Sequence, residues 1–278
     1  MSNFVQQQHT VNAFTSSDSW VILSPIEQSI KQKIEAVGVP LKDWDIQINY
    51  GIKTGCNEAF IITTDKRNEI LANCKDEAER KRTEELIRPI LRGRDIKRYG
   101  YNWAGLWLIN THNGIKGKLP RVNINDYPAI KAHLDKYWDK ISKRADKGDT
   151  PYNLRNCAYM DLFYQPHICW KAVGRKLAFA IVDGGIFLTA PASFISAGES
   201  NDQILEFLCS KVGTYYIYKN SDTTGAGDIM LNIQSLIKFP VPKVRNFVRH
   251  SKDIEVDKFV YETYRFTDEE VSYIESKI

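Results

Sequence analysis

Residues 50 to 63 read Tyr50-Gly51-Ile52-Lys53-Thr54-Gly55-Cys56-Asn57-Glu58-Ala59-Phe60-Ile61-Ile62-Thr63. Just upstream, Ile46, Ile48 and Tyr50 alternate with the period of a strand, and the apolar run that follows Glu58 has the character of a buried one. The spacing predicts strand, turn and strand over 45–63, with a Gly-x-x-x-Gly turn between. Two glycines let a backbone turn tightly and come close to a neighbour. Lys53, Thr54 and Asn57 are polar groups that can donate to phosphates or base edges. Glycine turns are common, so the residues alone leave a structural and a binding role both open.

Working outward, Ser24-Pro25-Ile26-Glu27 combines a Ser-x-x-Glu capping box with proline at the first helical position. Ile26, Ile30 and Ile34 give that helix an apolar face, and Gly38 and Pro40 end it. A second helix is expected over 76–88, stopping before Pro89. Leu106-Trp107-Leu108-Ile109 reads as a strand, and 126–145 as one long helix with Ile130, Leu134, Tyr137, Trp138 and Ile141 on a face. Strands follow near 168–170, 177–182 and 186–188, the last two flanking Asp183-Gly184-Gly185 as a hairpin turn. A helix over 202–211, a turn at 223–227, an extended Phe239-Pro240-Val241-Pro242 and a second capping box at Thr267–Glu270 complete the pattern. The fold class is α+β: a mixed, sheet-containing domain with flanking N-terminal and C-terminal helices. The expected division is a polar linker at 1–20, a main domain at 21–245 and a C-terminal helical segment at 246–278.

The composition narrows the function classes. With 43% hydrophobic and 12% aromatic residues in 278, the chain is built to fold. A net charge of only +4 means that any nucleic-acid surface must be a local cluster of cations. Cys56, Cys74, Cys157, Cys169 and Cys209 are odd in number, widely spaced and without a C-x-x-C pair, which suits reduced thiols in a cytoplasmic protein. No apolar run is long enough to span a membrane, and the N-terminus lacks a signal pattern.

Catalytic signatures are missing from the sequence. An exocyclic-amine DNA methyltransferase needs an Asn/Asp-Pro-Pro-Tyr/Phe loop and a glycine-rich turn after a first strand, and neither string occurs. Asp222-Thr223-Thr224-Gly225-Ala226-Gly227 is glycine-rich but lacks a strand-and-helix setting. Asp76 to Lys81 contains the letters of a metal-nuclease hairpin on what reads as a charged helix. His112, His133 and His167 have no metal-ligand spacing. No catalytic or metal residue is assigned on these grounds.

The densest basic stretch is Arg88-Pro89-Ile90-Leu91-Arg92-Gly93-Arg94-Asp95-Ile96-Lys97-Arg98, with five cations in eleven residues. Proline and glycine within it suggest a loop leaving a helix. Arg92, Arg94, Lys97 and Arg98 suit bidentate contact with guanine or attachment to phosphate. Arg155, Lys171, Arg175, Lys176 and Lys219 are further isolated cations near turns. A solvated basic surface is the alternative reading of all of them. Trp103, Trp107, Tyr215 and Tyr216 are aromatics that could stack on bases or pack in the interior.

Two of these stretches carry a resemblance. Gly51-Ile52-Lys53-Thr54-Gly55-Cys56-Asn57 and Ile87-Arg88-Pro89-Ile90-Leu91-Arg92-Gly93-Arg94-Asp95-Ile96-Lys97-Arg98-Tyr99 resemble, in order and spacing, the hallmarks of the TaqI-like C-terminal specificity domain. That domain occurs in adenine-specific DNA methyltransferases and the restriction enzymes fused to them, including type IIG. Phe163 to Trp170, Ile237 to Pro242 and Phe259 to Glu270 are similar to further stretches of the family, with His167 where the family usually has lysine. The likeness covers roughly residues 20–278. It implies sequence-specific recognition of double-stranded DNA, with Lys53, Thr54, Asn57, Arg92, Arg94, Lys97 and Arg98 as contacts; Arg155, Lys171 and Arg175 join them as DNA-binding candidates only as cations near turns. It implies no cofactor in this region. S-adenosylmethionine and Mg²⁺ would belong to upstream methyltransferase and nuclease domains of the same polypeptide, against which the terminal helices would pack. Two alternatives stand beside it: a protein-docking module of a phage-defence methyltransferase, and a self-sufficient nuclease.

Overall fold

The computed structural model describes residues 23–278; the linker expected at 1–20 lies outside the described residues. The described residues divide into two compact units that are discontinuous in sequence: one of 23–44, 206–220 and 234–278, the other of 45–205 and 221–233.

The first unit is mainly helical. Its opening helix, Pro25–Val37, has the expected capping box: Ser24 accepts from the Glu27 amide while Glu27 accepts from the Ser24 amide. Ile30 and Ile34 are buried. A short antiparallel pair, Val39 with Val241 and Pro40 with Pro240, follows. The helix Lys211–Asn220, unforeseen because its Tyr-Tyr-Ile-Tyr run shows no clean helical period, lies in this unit with Asp253–Tyr264 and Asp268–Glu275. The second capping box, at Thr267 and Glu270, is formed. Tyr264 is fully buried and donates its hydroxyl to the Pro240 carbonyl at 2.6 Å.

The second unit is built on two four-stranded sheets. Its principal strands are β1 (Gln47–Tyr50), β2 (Ile61–Thr63), β3 (Ile87–Leu91), β4 (Leu106–Ile109), β5 (His167–Trp170), β6 (Phe179–Val182), β7 (Phe187–Leu188) and β8 (Ser193–Ser196). The first sheet runs β6-β5-β8-β1 with all neighbours antiparallel. The second runs β7-β3-β4-β2, and β7 lies parallel to β3. Phe163 stacks on Phe187 of the second sheet at 4.7 Å and tilts against Phe194 of the first at 4.7 Å, so its ring links the two. All three rings are fully buried, each large enough to bring about 2 kcal/mol or more of burial free energy.

Four local expectations differ from the structure. The segment from Arg88 is not a loop leaving a helix: the helix is Glu77–Leu86, and 87–91 is strand β3. Pro89 marks the end of the helix, but burial of Ile87, Ile90 and Leu91 places the same residues in a sheet. The helix expected over 126–145 is two short ones, Pro128–Asp135 and Trp138–Ile141. Between them the Lys136 and Tyr137 amides bond three residues back, to His133 and Leu134, which tightens the turn and breaks the helical face. Asp183-Gly184-Gly185 is not a hairpin, because β6 and β7 belong to different sheets. The chain crosses over there with the Gly185 amide on the Phe163 carbonyl. Finally, the expected strand after Gly55 begins with a helical turn, Asn57–Phe60, before β2.

Candidate nucleic-acid interface

The register of the first sheet aligns Tyr50, Ser193, Trp170 and Phe179 in one row across four strands. The residues just beyond that row therefore emerge at a single sheet end: Gly51, Ala192, Lys171 and Ala178. The second sheet joins there. The Gly51 amide bonds the Ala192 carbonyl, Ile52 bonds Leu188, and the Thr189 amide bonds the Leu91 carbonyl. Leu91 runs directly into Arg92, and a side chain on Gly93 would meet the Lys171 Cβ at 3.1 Å. The Tyr99 amide closes the segment onto the Phe179 carbonyl at 2.9 Å. Two motifs separated by thirty-odd residues are thus neighbours at one end of the unit, with Lys171 between them.

Both glycines of the turn have physical reasons. A Cβ on Gly51 would lie 2.6 Å from the Thr189 carbonyl carbon, so the seam between the sheets requires glycine. Gly55 has φ +66°, the left-handed region that side chains disfavour, and lies against Asp146 and Arg144. Arg144 was unforeseen. It is buried at 7% exposure, and its guanidinium donates to the carbonyls of Thr54, Asp146, Pro151 and Asn153. It also stands 4.3 Å from the centre of the Phe60 ring. Burial lowers its pKa to about 10, which still leaves it charged at neutral pH. One cation therefore ties the glycine turn to the loop that carries Arg155.

Lys53 and Arg155 accordingly line one cleft of about 330 Å³, together with Tyr50, Asn156 and Tyr159. Lys53 is exposed and makes no hydrogen bond or ion pair among the described residues, whereas Arg155 bonds Asp146 at 3.0 Å. Asn57 is exposed beside them. Thr54 is different: it is buried at 2%, donates to the Asn57 Oδ1 at 2.5 Å and accepts from the Cys56 amide. In this position Thr54 braces the turn.

In the second motif, Arg92 also faces inward. Its Nε and Nη2 donate to both oxygens of Asp95 at 2.9 and 2.7 Å, and its amide donates to Asp95 as well. Burial pushes the Asp95 carboxyl up, but the Arg92 bonds outweigh it and hold the pKa below its ordinary value. With Nε and Nη2 held by Asp95, Arg92 organises the loop, and only its other terminal nitrogen is left to face outward. Arg94 and Lys97 are exposed; Lys97 donates to the Arg94 carbonyl at 3.0 Å, and the Arg94 side chain makes no hydrogen bond among the described residues. Arg98 is exposed over the Tyr99 ring, 5.1 Å from its centre. Arg175 is exposed and lies 3.8 Å from Asp228.

His167 is fully buried in β5 with Nδ1 on the Gln165 carbonyl at 2.8 Å, which leaves position 167 no phosphate to meet. Lys219, in the other unit, is paired with Glu27 at 2.6 Å. Trp107 is held by Arg67 over its ring and by its own bond to Thr64, and Tyr215 is buried. Trp103 stays 41% exposed after the second motif, edge-on to Trp107. Among the described residues no group of three His, Cys, Asp or Glu could hold a metal ion, and no helix is long and apolar enough to cross a membrane.

The model of the TaqI-like C-terminal specificity domain matches residues 88–241, more than half of the sequence. The chain belongs to that family. The match to this specificity domain begins inside β3 and ends in the Pro240–Val241 strand; the glycine turn precedes it. Among solved structures, the type IIL restriction-modification enzyme MmeI in complex with DNA is similar over 86% of this chain, at TM-score 0.57 and 13% identity. The type IIG restriction endonuclease BpuSI is similar over 87% of it, at TM-score 0.48 and 13% identity. This chain spans only 35% of the MmeI chain and 28% of the BpuSI chain. No curated protein matches the sequence.

Proposed function

We propose that this specificity domain reads the sequence of duplex DNA from the sheet end where its two hallmark motifs meet. The observation that supports the reading most is the convergence of Lys53, Arg94, Lys97, Arg98 and Lys171 on that end, a local cationic surface in a chain of near-neutral charge. A docking module would have no need to gather them. In this reading Arg94 is the free guanidinium fork for a guanine edge or a phosphate. Lys53, Asn57, Lys97, Arg98, Arg155, Lys171 and Arg175 hold the backbone and the groove wall. Thr54 and Arg92 set the shape of the two loops. The MmeI structure of like fold was solved with DNA, which fits the same role.

The wider protein is part of the proposal. The family resemblance implies an adenine methyltransferase domain using S-adenosylmethionine, with an Mg²⁺-dependent nuclease in type IIG enzymes, and this region would direct them to a site. Val248 and Ile254, each 76% exposed around the start of the Asp253–Tyr264 helix, are where such a domain would pack on the first unit. The test is duplex binding by fluorescence anisotropy. Arg94→Ala combined with Lys171→Ala should weaken binding at least tenfold, while Lys219→Ala, far from the motifs in sequence and paired with Glu27, should leave it unchanged. Equal affinities for all three proteins would remove the sheet end from the interface.

A further inference from the structure

The loop Asn113–Arg121 entered neither motif. Its backbone is tightly closed: the Ile115 amide bonds the Leu119 carbonyl at 2.8 Å, and the Lys118 and Leu119 amides bond back to Ile115 at 3.0 and 2.9 Å. Gly114, at φ +77°, lies where a Cβ would strike the Leu119 carbonyl at 2.6 Å, so the turn tolerates no side chain there. The base is anchored as firmly. Asn153, 1% exposed, donates to the carbonyls of His112 and Val122, and Thr111 donates to the Tyr152 carbonyl at 2.7 Å. What this rigid base presents is the tip Lys116-Gly117-Lys118, exposed throughout. Neither lysine makes a hydrogen bond or ion pair among the described residues. At Gly117, φ +76°, an added Cβ would meet nothing within 4 Å.

The tip borders a second cleft, lined by the loop itself with Asp149, Asn156 and Ala158. Asn156 also lines the Lys53–Arg155 cleft, so the two depressions share a wall residue. Asp149, the acid in the lining, is already occupied by Arg121 at 3.0 Å and the Asn113 amide at 2.9 Å. It therefore leaves the lysines unneutralised.

We propose that the Lys116-Gly117-Lys118 tip is a second, sequence-independent phosphate-binding site that extends the reading surface along the duplex backbone. The inference rests on the DNA-reading proposal. Lysine ammoniums are compact point charges without arginine's planar fork, which suits phosphate oxygens and carries no base code. The side-chain-free Gly117 lets a backbone come close between them.

The test is the salt dependence of duplex binding by the full chain. Lys116→Ala/Lys118→Ala should make the slope of log affinity against log salt shallower by about 1 to 2, with the preferred sequence unchanged. Lys116→Arg/Lys118→Arg should keep the wild-type slope. Matching thermal melts would exclude a folding defect in these exposed positions. If the wild type binds with a steep slope and the alanine variant shows the same one, the second site is overturned and the DNA reading stands. If the wild type shows no salt-dependent binding, both are overturned.

Discussion

At the scale of single residues, the site depends on groups that reach no ligand. Arg144 satisfies four carbonyls from two loops, and nothing else among the described side chains offers those carbonyls a charged donor in its place. Arg144→Ala would take this donor from the Thr54, Asp146 and Pro151 carbonyls, leave Asn153 only the Gly148 amide, and open a space against Phe60. We expect a loss of about 3 kcal/mol or more in urea unfolding. Lysine at 144 should recover only part of it, because one ammonium cannot span Thr54, Asp146, Pro151 and Asn153 together. The glycines illustrate what sequence can tell. That Gly51 and Gly55 allow a tight turn follows from their type. That one sits on the backbone of 188–190 and the other on Asp146 does not, because these partners are more than ninety residues away. The burial of Thr54 is hidden for the same reason: a hydroxyl beside a glycine looks available until its surroundings are known.

At the scale of elements, the 92–101 segment is held by the Arg92–Asp95 pair. The folded Asp95 carboxyl titrates below its unfolded value of about 3.9. Its contribution is therefore fully present above that value and is lost as pH falls through the folded pKa. The stability difference between the wild type and Asp95→Asn should be constant from neutral pH to about 5 and shrink below about 4, followed by urea midpoints across pH. A difference that stayed constant to lower pH would mean that the ion pair does not hold the loop. Element boundaries were legible where capping chemistry is local, at Ser24–Glu27 and Thr267–Glu270. They failed where long-range pairing decided. Ile87 to Leu91 contains a proline and follows a helix, yet two flanking strands make it β3. Asp183-Gly184-Gly185 has hairpin residues, yet its strands go to different sheets.

At the scale of the whole molecule, the α+β class and the family were legible in the strings at 51–57 and 87–99. The two-unit division was not, because it joins residues 23–44 to 206–220 and 234–278 through packing that no local period encodes. Nor could the sequence tell which cations are free. Arg92 and Arg94 are equivalent letters two positions apart, and only the fold assigns one to Asp95 and leaves the other exposed. Lys116 and Lys118 were passed over because two lysines among many carry no signal until their loop is seen beside the cleft.

The central claim is that this chain by itself discriminates DNA sequence from the end of its two sheets. The most direct measurement is a selection from a randomised duplex library by the wild type and by Arg94→Ala, at low and at physiological salt. The account predicts one short motif enriched by the wild type, retention that falls steeply as salt rises, and loss of preference in at least one position of that motif for Arg94→Ala. No enriched motif at either salt, or the same motif from both proteins, would contradict it.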